Sequence, residues 1–336
     1  MDISAMSEGI TTQVRHKYRK VLNGFSLRIP DQYVEWLQNL KGVEYVQEVG
    51  SFHLAGSAAS WGLDRIDQRD QPTDGQYSPV AFGTGVNVYV IDSGIHLTHV
   101  DFEGRVTAFK DFINDGLDGG DCHGHGTAVA GVIGGTVYGV AKDVNLFSCR
   151  VHGCYGSTIG TKDFVIAAMD DIASRGTLPG VVSVTFTSAK DDTLDTATSN
   201  LIDMGFSVVA PAGNDNNDAC LYSPGSVKEV ITVGSIHPSD WRSSYSNWGS
   251  CLDVFAPGAG ISSDWHTSDT ATIAYSSTSM ACAHAAGAAA KILGINPQLT
   301  PAEVHADIVA SATPDKIPNP EPAAKPGSPN LILYSP

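Results

Sequence analysis

What the sequence has little of narrows its class. No apolar run in its 336 residues approaches the length of a membrane span, so no spanning segment is expected. Residues 1–20, MDISAMSEGITTQVRHKYRK, contain no apolar h-region, and no signal peptide is visible. Basic side chains are few. Against 36 Asp and Glu there are 20 Lys and Arg, a formal net charge of −16 that repels phosphate backbones and anionic lipid surfaces. Nucleic acid and membrane are therefore not expected as partners. Six cysteines are too few for a disulfide scaffold, and no pair has the C-x-x-C spacing of a zinc module. There is no internal repeat and no low-complexity tract. Composition alone leaves the compartment open.

What is present is ordinary for a soluble globular protein: 42% apolar and 17% charged residues, in a chain long enough for one large core or two modest ones. The charge is unevenly placed. Residues 1–53 carry six acidic and six basic side chains, so the whole acidic excess lies beyond them. The first part reads as a small α+β unit: a strand in VLNGFSLRI, a helix in DQYVEWLQNL with Asp31 as N-cap, and a strand in VEYVQEV. LAGSAAS (54–60) reads as an exposed connection. Beyond it, apolar strands alternate with helices. Strands are expected at 86–92, 144–151, 181–186, 206–212 and 230–235, and helices from about 125, over about 161–174, near 192–204, near 279–293 and near 301–311. This pattern predicts an α/β fold with a mostly parallel sheet between helices, and a binding crevice at the carboxyl ends of its strands. A proline-rich stretch from Pro314 to Pro329 ends in NLILY, an apolar return expected to pack on the body.

Three segments put reactive side chains where such a fold displays ligands. In VYVIDSGIHLTHVDFEGR, Asp92 ends an apolar strand. In GDCHGHGTAVAGVIGG, His125 stands between glycines at a helix start, and in YSSTSMACAHAAG, Ser279 opens an alanine-rich helix. Each alone has a structural use as a cap, turn former or core polar group. Together, in the order Asp, His, Ser, they resemble the subtilase family of serine endopeptidases, and its proteinase K-like and aqualysin-like branch. The resemblance extends over essentially all of residues 54–336 through WGLDRID, SYSNWGSCLDVFAPG and PNLILY.

The resemblance implies a subtilisin-like three-layer fold and a serine endopeptidase acting through an acyl-enzyme. Ser279 would be the nucleophile, His125 the general base and acid, and Asp92 the group that orients His125. Asn214, in VVAPAGNDNNDAC, matches an oxyanion-hole asparagine that would work with the Ser279 backbone N–H. Substrate would run along Thr185, Phe186, Thr187 and Ser188, faced by a segment near Gly160. The resemblance also implies disulfides Cys122 to Cys154 and Cys220 to Cys251, hence an oxidising compartment and an extracellular location. Cys149 and Cys282 are left as buried small hydrophobes. DCHGH offers metal ligands as well, but Cys122 and His125 are already used, so zinc is not expected. No catalytic cofactor is implied. A structural calcium is, held by Asp253 with the backbone carbonyls of Lys228 and Val230.

Residues 14–53 resemble the inhibitory propeptide of these proteases. Residues 1–53 are accordingly expected to be a partial propeptide lacking its first strand and 54–336 the peptidase domain, made as a zymogen, self-processed at His53–Leu54 and then monomeric. The expected partners are protein or peptide substrates and the chain's own propeptide. Five positions depart from the family pattern. Ser277 stands where glycine is usual; if that position needs positive φ, serine costs about 1–2 kcal/mol and misaims Ser279. Ala128 and Ala283 replace a usual histidine and proline. Thr187 and Ser188 replace glycines where substrate backbone must approach. The changes at Ala128 and Ala283 are expected to be tolerated, whereas those at Ser277, Thr187 and Ser188 support an alternative: a catalytically weak or silent relative that acts as a binding protein with retained propeptide.

Overall fold

The computed structural model describes residues 13–20, 23–47, 56–154, 160–318 and 327–336. The chain divides into two compact units, Met1–His53 and Leu54–Pro336. In the first, β1 (Gln13–Tyr18) pairs antiparallel with β2 (Gly24–Arg28), followed by a 3-10 turn at Asp31–Tyr33 and α1 (Val34–Gln38). Two expectations need correction here. Asp31 lies inside the first turn, where its charge suits the helix dipole, and the capping position is Pro30. Residues 43–47 of the expected strand VEYVQEV have no regular structure, and 48–49 lie outside the described residues.

The second unit begins with a short pair, β3 (Gly56–Ser57) and β4 (Gln76–Tyr77), around α2 (Trp61–Ile66). The succession that follows is β5 (Asn87–Asp92), β6 (Val106–Asp111), α3 (His125–Gly134), β7 (Asn145–Arg150), α4 (Lys162–Arg175), β8 (Gly180–Val184), β9 (Ser188–Ala189), α5 (Asp192–Asp203) and β10 (Ser207–Pro211). It continues with β11 (Tyr222–Ser223), β12 (Ile231–Ile236), β13 (Val254–Pro257), the hairpin β14 (Ile261–Asp264) and β15 (Thr272–Tyr275), α6 (Thr278–Ile295), α7 (Pro301–Ser311), β16 (Thr313–Pro314) and β17 (Leu331–Ile332). Nine strands form the central sheet in the order β16-β17-β13-β12-β10-β8-β5-β7-β6. All its pairings are parallel except β16 with β17.

The sheet is parallel because its strands are apolar on both faces and helices cover both sides. In β5, Val88 and Val90 join one core with α3, α6 and α7, while Tyr89 and Ile91 join the other with α4 and α5. Helix α6 is buried along nearly its whole length. Its alanine and glycine side chains are apolar all round, as a helix enclosed by the core requires. The NLILY return is β17, parallel to β13 with Phe255 opposite Ile332. No helix among the described residues is long and apolar enough to cross a membrane.

Candidate active site

The carboxyl ends of β5, β7, β8 and β10 open on one cleft. Asp92, Ser93, His123, His125, His152, Thr185, Phe186, Thr187, Pro211, Gly213, Asn214, Thr278 and Ser279 line it. Asp92 is the last residue of β5 and is buried. His125 is the first residue of α3, and its Nδ1 lies 2.9 and 2.8 Å from the two Asp92 carboxylate oxygens.

The start of α3 is held by Asp121, whose carboxylate accepts from the N–H groups of His123, Gly124 and Thr127 and from the hydroxyls of Ser93 and Thr127. Gly124 has φ +102° and a Cβ there would enter the Trp265 ring. A Cβ on Gly126 would collide with the Gly94 carbonyl and crowd Asp92. Both glycines of the Gly-His-Gly run are thus needed for His125 to reach Asp92.

Burial pushes the Asp92 carboxyl up, but the His125 charge and hydrogen bonds from His125, Thr185 and the Ser93 N–H outweigh it and hold the group below its ordinary value. Thr185 contributes more than a wall to the cleft. Its hydroxyl donates to Asp92 and to the Ile91 carbonyl, the latter at 3.1 Å, and its carbonyl accepts from Ser279 Oγ at 3.0 Å. Among the described residues no hydrogen bond joins Ser279 to His125. Such contacts are often loose without substrate.

Asn214 stands just past β10. Its Oδ1 accepts from the Thr278 N–H at 2.9 Å and the Thr278 hydroxyl at 3.0 Å. The amide end, the donor, has no protein partner among the described residues. Ser277 has φ −168° and ψ 166°, extended backbone open to any residue. The strain considered for a serine at this position therefore does not arise.

Phe186 and Thr187 line the cleft; Ser188 does not, pairing with Ser223 in the short β9–β11 ladder. Gly160 packs against the Val151 carbonyl and is not among the lining residues. The segment 155–159 beside it lies outside the described residues, as do the proposed junction His53–Leu54 and residue 55. Two lining histidines were missed as cleft groups. His123 was read only as a metal candidate and His152 not at all; their rings meet edge to face at 5.2 Å. The sequence signal for His152 is its place two residues past the end of β7.

Disulfides join Cys122 to Cys154 and Cys220 to Cys251, while Cys149 and Cys282 are buried thiols. Burial pushes the Cys282 thiol up to about 12, so it is an inert neighbour of Ser279. Asp115, Cys122 and Cys154 are close enough together to share an ion. Both sulfurs are in the disulfide, and Asp115 pairs with the buried Arg150 at 2.6 Å. At the candidate calcium site, Lys228 and Val230 enter β12 beside Asp253, which precedes β13. One Asp253 oxygen accepts the Thr232 N–H at 2.7 Å and the other contacts His305 Nε2 at 2.9 Å. Each Asp253 oxygen thus already has one partner, and a calcium ion held there would have to share Asp253 with His305 or displace it.

A buried carboxylate, an imidazole held by it and a serine hydroxyl at a helix N-terminus, all opening on one cleft, can carry out serine-type acyl transfer. Comparison with known proteins makes the class specific. Residues 83–329 match the model of the subtilase family. The chain is 47% identical over 322 residues to an extracellular serine proteinase of Thermus sp. (strain Rt41A), covering 95% of this chain and 77% of that protein. It is 41% identical over 341 residues to alkaline serine exoprotease A of Vibrio alginolyticus, covering 99% of this chain and 62% of the relative. The crystal structure of a cold-adapted subtilisin-like serine proteinase superposes with a TM-score of 0.78 at 44% identity, covering 82% of this chain and 98% of that one. The chain belongs to the subtilase family, the subtilisin-like serine proteinases.

Proposed function

We propose that the protein is a secreted serine endopeptidase in which Asp92, His125 and Ser279 hydrolyse peptide bonds through an acyl-enzyme. The observation that carries the reading is the 2.8 Å contact of His125 with the buried Asp92 in the cleft that Ser279 also lines. In this mechanism the Ser279 hydroxyl leaves the Thr185 carbonyl, its partner at 3.0 Å, for His125 Nε2. Ser279 Oγ then attacks the substrate carbonyl carbon while His125 takes its proton. Collapse of the tetrahedral intermediate breaks the C–N bond, and His125 returns the proton to the leaving amine. Water repeats the sequence and frees Ser279. The Asn214 amide and the Ser279 N–H stabilise the oxyanion, each donor being worth on the order of 100 to 1,000-fold in rate. Thr185 acts beneath the triad, and Phe186 and Thr187 meet substrate.

In this reading residues 1–53 are the propeptide, removed near His53 by the enzyme itself. The name of the Thermus relative supports the secreted location, and the names of the Thermus and Vibrio relatives both support the proteinase activity. The test compares wild type with Ser279→Ala for release of peptides from an unfolded protein and for self-cleavage near residue 53 by mass spectrometry. Both activities in the wild type alone are the expected result. Self-cleavage without turnover would replace this reading with a binding protein that retains its propeptide, and turnover in Ser279→Ala would remove Ser279 from its role.

A further inference from the structure

We infer that Ser277 tunes the oxyanion site by occupying one of its two donors before substrate arrives. The inference rests on the roles proposed above for Ser279 and Asn214. Ser277 is the N-cap of α6, and its Oγ accepts from the N–H of Ser279 at 3.1 Å and of Met280 at 3.4 Å. Its own N–H is tied to the Gly258 carbonyl at 2.9 Å and the residue is only 7% exposed. Ser277 does not line the cleft, so it reaches the Ser279 N–H from behind the helix start.

The two donors are thus prepared differently. Among the described residues Asn214 has its carbonyl end fixed by Thr278 and no partner at its amide end, whereas the Ser279 N–H already has an acceptor. An oxyanion forming on the attacked carbonyl meets one ready donor and one that must leave Ser277 or be shared with it. Hydrogen bonds to an anion outcompete those to a neutral hydroxyl, so the exchange proceeds. Its cost falls on the step that creates the charge, because bound substrate does not need this N–H. It therefore lowers kcat and leaves KM alone. The gain is a capped helix. Ser277 is a positioning residue that trades transition-state stabilisation for the order of α6.

The test measures kcat and KM on a peptide amide, affinity for a peptidyl trifluoromethyl ketone that forms a tetrahedral oxyanion adduct, and Tm. The proteins are wild type, Ser277→Ala, Ser277→Gly, Ser277→Thr and Ser279→Ala. Glycine is itself a tolerated N-cap, so that variant keeps the fold even if alanine does not. Losing the acceptor in Ser277→Gly or Ser277→Ala should raise kcat roughly 2- to 10-fold, the equivalent of one neutral hydrogen bond. KM should not change, ketone binding should tighten by the same factor, and Ser277→Ala should lower Tm. Ser277→Thr, which keeps the hydroxyl, should match wild type. Unchanged or reduced kcat and ketone affinity in the folded glycine variant would overturn the inference and leave Ser277 as a cap only. Turnover that survives in Ser279→Ala would overturn the triad reading instead, so the two failures are distinguishable.

Discussion

Burial works against a charged His125, yet the Asp92 charge and hydrogen bond outweigh it, and the imidazole is held above its ordinary value. Because the base must be neutral, the acid limb of the pH profile of kcat/KM is expected above about 6.5, the ordinary histidine value. Asp92→Asn removes the charge that holds it there. That variant should lose about 10⁴-fold in kcat, through the wrong tautomer, with its residual acid limb moved down. An acid limb below that of free histidine in the wild type would contradict this account. Asn214→Ala should lower kcat on the order of 100 to 1,000-fold with little change in KM; a loss confined to KM would make Asn214 a substrate contact. The candidate triad was legible because strand end, helix start and glycine punctuation fell in one order at Asp92, His125 and Ser279. Thr185 under Asp92 and Ser277 behind Ser279 were not. Their roles depend on which way a hydroxyl turns, and periodicity carries no such information.

Among the elements, the β14–β15 hairpin carries the most unusual buried group. Asp264, at the end of β14, is fully buried, and among the described residues neither of its oxygens has a hydrogen-bond partner as a carboxylate. Burial, then the Asp101 charge and a hydrogen bond to Asp101, push it up to about 9. Asp101 accepts the Val137 N–H at 2.6 Å, His99 Nδ1 lies 3.6 Å from Asp264, and the Tyr138 phenol also feels the Asp264 charge. The folded state therefore keeps a proton that the unfolded chain releases near its ordinary value of 3.8. Stability from this group is full below that value and falls as pH rises toward about 9. Asp264→Asn, which cannot ionise, should gain Tm relative to wild type at pH 9 compared with pH 5. A Tm difference that does not change with pH would contradict the shared-proton arrangement. Strands β5, β7, β8, β10 and β12 were legible from continuous apolar runs, and α7 as a helix near 301–311, but β6 was not, because VTAFKD mixes polar and apolar residues, nor were the short β13 and β16. The hairpin was not, because ISSD and TIAY are too short to stand out and ISSD is mostly polar.

At the scale of the whole molecule, the peptidase-sized unit combines a continuous parallel sheet with two disulfides that tie down surface loops. Cys220 and Cys251 enclose a separation of 31 residues, a loop closure worth about 3–4 kcal/mol in the chain-entropy model. Replacing both by serine should lower the free energy of unfolding in denaturant titration by up to that amount; an unchanged midpoint and slope would show that the loop is held by packing alone. The sheet and its helix layers could be read from the sequence because alternation and apolar continuity are local signals. The company Asp253 keeps could not, since His305 comes from α7, far along the chain. Calcium addition should therefore raise Tm by less in wild type than in His305→Ala if Asp253 is its ligand. An equal rise in both would assign the ion elsewhere. The most direct test of the central claim is peptide mapping after reaction with an organophosphonate that labels activated serines. The account requires one adduct, on Ser279, formed in wild type and suppressed in His125→Ala. An adduct on another serine, or labelling of Ser279 that ignores His125, would contradict it.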